Sequence, residues 1–167
     1  MPDGDTIRQI ASRVHATYRA AALRQVARGA WTRDEAAQRL APWGALTALC
    51  GGDVPGYTDC FDELYPVVGR YPADLPGADA RTDDIRRFLL SEDLCPAGAW
   101  KPVLVTAWAE AALRADQLRD AGQPDQFARA MAAYRDLNTL ARYLGLPLRD
   151  LCTAHISAAR LPERIAA

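Results

Sequence analysis

The sequence has no long uninterrupted apolar run and little excess charge of either sign. A membrane-spanning helix needs roughly 20 consecutive apolar residues, and the best candidate, residues 103–113, is interrupted by Glu110. We therefore expect no membrane partner. The 20 basic and 21 acidic side chains leave a net charge of −1. The chain as a whole therefore has no general attraction to nucleic acid, although local patches are compatible with this balance.

Familiar signatures of catalysis are also missing. The chain has no GxxxxGK[ST] or GxGxxG loop of the kind that cradles a phosphate or a dinucleotide. No serine or cysteine has the glycine-flanked setting of an activated nucleophile, and the only histidines are His15 and His155. We expect no catalytic residues and no cofactor, and the sequence favours a protein that is not an enzyme.

The pattern of apolar residues predicts an all-α fold. The period-two alternation of a half-buried strand is absent, whereas apolar residues recur at helical intervals in residues 6–28, 104–118 and 127–144. We predict a single compact helical domain of about six helices, with a long antiparallel hairpin in the C-terminal third. Its parts are N-terminal helices in 1–50, a Pro/Gly-rich connection with short helices in 51–98, the hairpin in 99–145, and a C-terminal helix and tail in 146–167.

Several helix ends can be placed from local signals. Thr32 and Glu35 have the spacing of a capping box, which predicts a helix that begins at Arg33. Pro42 is expected to kink or split that helix. In the breaker-rich connection we predict a short helix at about 59–68 and a second one from Asp83 through Leu90.

The four cysteines are far apart in the sequence, at Cys50, Cys60, Cys95 and Cys152. Because the N-terminal residues do not resemble a signal peptide, we expect a cytoplasmic protein with reduced thiols. Cys152 and His155 are three residues apart on a predicted helix and could share a metal ion with another cysteine. No second close pair exists, so we predict no metal site and interpret the cysteines as small buried hydrophobic residues.

Acidic residues provide the best rival hypothesis of an enzyme. Two groups, Asp59/Asp62/Glu63 and Asp83/Asp84, could hold a divalent metal ion for phosphate cleavage. Their spacing does not reproduce that of the helical nucleotide pyrophosphatases. The competing explanation is that acidic residues gather at helix starts, where they stabilise the positive end of the helix dipole.

Arginine is the most suggestive residue type. Lys101 is the only lysine, and the first helix carries five arginines with no acidic residue between Thr6 and Trp31. A GC-rich coding sequence would produce the same bias. Three of the five lie near one side of the helix and are our candidates for contact with nucleic acid or with an acidic partner: Arg13, Arg24 and Arg28.

The end of the predicted hairpin, AYRDLNTLARYLGL at residues 133–146, resembles the close of the helical hairpin in bacteriophage small terminase proteins. Those proteins are ring-forming, non-catalytic DNA-packaging subunits with an N-terminal DNA-binding part and a helical oligomerisation core. The resemblance implies that the basic first helix handles DNA and that the hairpin assembles copies of the chain. It assigns a role to no individual residue.

Together these features predict a non-catalytic binding or assembly module. Tryptophan and tyrosine are enriched at protein interfaces, and we select Trp108 and Tyr134 as candidate interface residues. We expect a homo-oligomer or a complex with another protein, with nucleic acid as a further possible partner. A pure protein–protein adaptor is the other non-enzymatic alternative. Within the chain, we predict that the hairpin packs on the first two helices through Trp108, Phe127, Met131 and Tyr134.

Overall fold

A computed structural model describes residues 4–67 and 77–146. These residues form helices, turns and loops and contain no β-strand, so the predicted all-α class is confirmed. Within them lie six α-helices: α1 (Gly4–Ala27), α2 (Arg33–Leu49), α3 (Phe61–Leu64), α4 (Ala78–Leu94), α5 (Trp100–Asp120) and α6 (Pro124–Tyr143). Short 3₁₀ turns at Thr58–Cys60 and Pro96–Gly98 precede α3 and α5. None of the described helices is long and apolar enough to cross a membrane.

The chain divides into two compact units, Met1–Trp100 and Lys101–Ala167. The first contains α1 to α4, and the second contains α6 and all of α5 after its first residue. The predicted packing of the hairpin on the first two helices concerns the relation between these units and stays a prediction. The predicted last helix, with Cys152 and His155, lies outside the described residues.

In the first unit, α2 packs against both α1 and α4. The buried side of α1 carries Ile7, Ile10 and Val14, which confirms the predicted apolar face of this helix. Tyr18 stacks on Trp43 of α2, with 3.8 Å between ring centroids. On the other side of α2, Ala48 belongs to a buried cluster with Val54, Phe61 and Leu90.

The second helix begins at Arg33, as its capping box predicts. The Glu35 backbone N–H donates to Thr32 Oγ1 over 3.1 Å, and the Thr32 N–H donates to Glu35 Oε2 over 2.7 Å. Pro42 does not split the helix, which continues to Leu49. Proline deprives the helix of one backbone hydrogen bond, but residues 43–48 are all buried, and this packing holds the helix together beyond the proline.

Two predicted boundaries in the connection are wrong. The helix expected to open at Asp83 begins at Ala78 and continues past Leu90 to Leu94, because burial of Leu90 and Ser91 favours a longer helix than the local acidic signal indicates. The helix expected at about 59–68 is a 3₁₀ turn followed by α3, which ends at Leu64. Pro66 has no backbone N–H to extend it.

In the second unit, the structure confirms two helices of about twenty residues that are separated by a short turn. Gly122, with φ +65°, donates its N–H to the Arg119 carbonyl, and Gln123 donates to the Leu118 carbonyl. This pair of bonds is a Schellman cap, which requires a left-handed residue and therefore favours glycine. Gly145 ends α6 in the same way, with φ +70°.

Candidate functional site

The three predicted contact arginines are all exposed. Arg13 and Arg24 are three helical turns apart on α1, which places them on one side, about 16 Å from each other along the axis. Arg28 follows the end of α1, where its backbone N–H donates to the Arg24 carbonyl over 3.1 Å. Arg24 and Arg28 form no ion pair with any residue that the structure describes. We call Arg13, Arg24 and Arg28 the arginine side of α1.

The other two arginines of α1 point elsewhere. Arg8 lies beside Gly51, just after the C-terminus of α2, where a cation stabilises the negative end of the helix dipole. Arg19 lines a pocket to which Arg24 does not contribute. The sequence grouped Arg13, Arg24 and Arg28 on one side of the helix, and the structure adds the surroundings of Arg8 and Arg19.

The predicted interface residues Trp108 and Tyr134 contact each other within the chain. Their ring centroids are 5.7 Å apart, and Trp108 Nε1 donates to Asn138 Oδ1 over 3.3 Å. Only 8% of Trp108 is exposed. These contacts join α5 to α6 and leave little of the Trp108 surface for a partner.

A groove of about 430 Å³ lies between α5 and α6, closer to their connecting turn. Small and apolar residues line it at Ala111, Leu118, Ala130 and Ala133, together with the exposed side chains of Arg114 and Arg129. Neither arginine has an ion-pair partner among the described residues. We call this feature the α5–α6 groove, a cationic groove with an apolar floor.

Two of the acidic residues considered for metal binding are paired with arginines. Asp62 forms an ion pair with Arg86, and Asp83 accepts a hydrogen bond from Arg87 Nε over 2.5 Å. Arg87 also donates from Nη1 to the Gly52 carbonyl over 2.6 Å. Asp59, Glu63 and Asp84 are exposed. The described residues contain no group of three histidine, cysteine or acidic side chains able to hold a metal ion.

The cysteines of the first unit are free thiols. Burial raises the pKa of Cys50 to about 12, and burial together with the nearby Glu92 carboxylate raises the pKa of Cys95. Both thiols therefore stay protonated near neutral pH, whereas the thiolate is the form that attacks substrates and binds metals. Cys60 is half-buried.

Sequence reasoning missed a pocket of about 170 Å³ that is built from α1, α2, the 54–57 loop and the end of α4. Its floor includes His15, of which 7% is exposed, and its rim includes the exposed Arg19 and Tyr57. Leu40, Val54 and Leu94 supply apolar walls. We call it the His15 pocket. The only sequence signal was a histidine beside Val14 on the buried side of a helix.

The imidazole of His15 faces this pocket. No hydrogen bond joins it to the rest of the described structure, and every fully buried side-chain nitrogen or oxygen there has a partner. The ring nitrogens of His15 therefore keep some accessible surface, and the pocket that His15 lines is the space available to them. Burial, and secondarily the Arg19 charge, lower the pKa of His15 below its ordinary value, so the imidazole is neutral near pH 7.

Comparison with protein-family models, with curated proteins and with solved structures found no match to this chain.

Proposed function

We propose that this protein is a non-catalytic helical binding and assembly module that self-associates. The α5–α6 groove is the observation that carries the proposal. In this proposal α5 and α6 form an antiparallel hairpin, and the groove along it receives a helix of a second copy. The small side chains of Ala111, Ala130 and Ala133 let another helix approach closely, and Arg114 and Arg129 favour a helix with acidic residues.

The chain itself offers a helix of this chemistry. On α4, Phe88 is 55% exposed and Leu89 is 36% exposed, although both are large and apolar. Asp84 lies one turn before Phe88 and is also exposed, so an acidic and an apolar side chain share one face. We propose that this face of α4, the Phe88 face, docks in the α5–α6 groove of the next copy.

Such a contact joins two different surfaces and is therefore heterologous. Heterologous contacts build rings when the rotation between copies closes and filaments when it does not. A ring agrees with the plan of the small terminase proteins that residues 133–146 resemble. The free thiols Cys50, Cys60 and Cys95 support the cytoplasm, a reducing compartment, as the location of this assembly.

Size-exclusion chromatography with light scattering tests the proposal. We expect the wild type to exceed the monomer mass at micromolar concentration and Phe88→Ser to be monomeric. Leu23→Ser is the matched control, because Leu23 on α1 is 56% exposed and lies outside the proposed contact. A monomeric wild type, or equal assembly of the Phe88 and Leu23 variants, contradicts the proposal.

Charge reversal gives a second, independent test. Arg129→Glu should weaken assembly, and adding Asp84→Arg to the same chain should restore it if these two residues face each other between copies. Restoration is diagnostic because a nonspecific loss of folding cannot be repaired by a second substitution on another helix.

A second candidate function is binding to nucleic acid through the arginine side of α1. The exposure of these arginines and the lack of described ion pairs at Arg24 and Arg28 favour it. Phosphate binding releases counterions, so affinity for duplex DNA should fall steeply with salt, with a slope of roughly 0.9 per phosphate contacted. The triple variant Arg13→Ala/Arg24→Ala/Arg28→Ala should bind more weakly and show a smaller slope.

The DNA experiment also separates the remaining alternatives. If the wild type assembles but binds no DNA at low salt, the chain is a protein-assembly module alone. If the wild type is monomeric and binds no DNA, a pure adaptor for other proteins is favoured. Equal DNA binding by the wild type and the triple variant would assign the contact to another surface.

A further inference from the structure

We propose that the His15 pocket binds a small organic carboxylate. The carboxylate group would contact Arg19 and His15, and the apolar part would lie against Leu40, Val54 and Leu94. The residues that line this pocket differ from those of the α5–α6 groove and of the arginine side of α1, so the proposal adds a small-molecule ligand to an assembly function.

The polar end of the pocket suits an anion. His15 and Arg19 are four residues apart on α1, so their side chains are neighbours on one helix face. The guanidinium offers several N–H donors in a fork that matches a carboxylate, and a neutral imidazole offers one more. Among the residues that the structure describes, no acidic side chain lines the pocket, and none forms an ion pair with Arg19. The donors are therefore open to an external anion.

The remainder of the pocket favours an organic ligand over an inorganic ion. The walls are apolar, and an engineered cavity of about 150 Å³ in another protein holds benzene. A volume of about 170 Å³ therefore suits a compact carboxylic acid with one ring or a short branched chain. Inorganic phosphate could satisfy Arg19 but would leave the apolar walls without a partner.

Isothermal titration with benzoate tests the site, and Arg24→Gln is the matched control for Arg19→Gln. Both residues are exposed arginines of α1, but only Arg19 lines the pocket. We expect the wild type and Arg24→Gln to bind benzoate equally and Arg19→Gln to bind it at least about tenfold more weakly, since a charge-assisted hydrogen bond is lost. In proton NMR spectra, the ring signals of His15 are identified by their absence from the spectrum of His15→Gln. These signals should shift when benzoate binds to the wild type.

A second variant tests the apolar part of the pocket. Ala41 of α2 also lines the pocket. Ala41→Leu adds bulk there and should abolish benzoate binding while leaving both polar groups in place. Ala37→Leu, at an exposed part of the rim, replaces it if circular dichroism shows that Ala41→Leu does not fold. Three results would each overturn the proposal. Phosphate could displace benzoate at equal concentration, Arg19→Gln and Arg24→Gln could bind benzoate with equal affinity, or the wild type could bind no benzoate.

Discussion

Removal of the Arg87 side chain should clearly destabilise the first unit. Its side chain is 13% exposed and has three partners in different parts of the chain. Nε donates to Asp83 on the same helix, Nη1 donates to the Gly52 carbonyl after α2, and the guanidinium lies 5.5 Å from the ring centroid of Phe61. One side chain thus joins α4 to the segment after α2 and to α3.

The three contacts contribute unequally. Replacement of Arg87 by methionine keeps much of the apolar volume but leaves the buried Gly52 carbonyl without its donor, at a cost of about 1–3 kcal/mol. The ion pair to Asp83 contributes only about 0.3–0.5 kcal/mol, because its carboxylate is 45% exposed and the pair has i,i+4 spacing. The contact with Phe61 adds about 0.5–1 kcal/mol. We expect Arg87→Met to lower the free energy of unfolding by about 2–4 kcal/mol.

Urea unfolding, followed by far-ultraviolet circular dichroism, measures this loss. Asp83→Asn is the control, because it removes the ion pair and leaves the bond to Gly52. We expect Asp83→Asn to cost about 0.5 kcal/mol or less and Arg87→Lys to fall between the two variants, since lysine keeps the charge without the planar fork. Equal destabilisation by Asp83→Asn and Arg87→Met would show that the bond to the Gly52 carbonyl contributes nothing and would refute this reasoning.

Three further predictions concern stability. Leu90→Ala should lower the free energy of unfolding by about 2–5 kcal/mol in a urea titration, because Leu90 is fully buried; a cost below that of the exposed Leu89→Ala would contradict its place in the core. Thr32→Ala should cost about 1 kcal/mol through loss of the capping box, with Thr32→Ser as the control that restores it. The lowered pKa of His15 means that the unfolded chain binds more protons, so stability should fall as pH drops from about 6.5 towards the lowered value. Unfolding midpoints at pH 7.5 and 5.5 should therefore differ more for the wild type than for His15→Gln, and an equal difference would assign the pH dependence to other groups.

The parts of the fold that could be predicted from the sequence are those set by neighbouring residues. The approximate extents of α1 and α6 follow from helical periodicity over residues 6–28 and 127–144, and the start of α2 follows from Thr32 and Glu35. The start of α4 at Ala78 was not predictable in this way. Its first turn carries no apolar periodicity, and the helix is held by the packing of α4 on α2.

The sites were harder to predict because they depend on contacts between distant residues. Asp62 looks like a metal ligand until Arg86, 24 positions later, is seen beside it. His15 looks like an ordinary core residue until the 54–57 loop and the end of α4 complete a pocket around it. The sequence placed Arg24 and Arg19 on different sides of α1, but only the fold shows that Arg19 lies at a pocket.

The buried thiols of Cys50 and Cys95 can report the rate of local unfolding in the first unit. Cys50 follows α2 and Cys95 follows α4, the two helices that pack together in this unit. A protonated, buried thiol reacts with an alkylating reagent only when local unfolding exposes it. The rate at which each thiol is alkylated therefore reports how often its own helix end opens, and similar rates at both thiols would identify α2 and α4 as one cooperative unit.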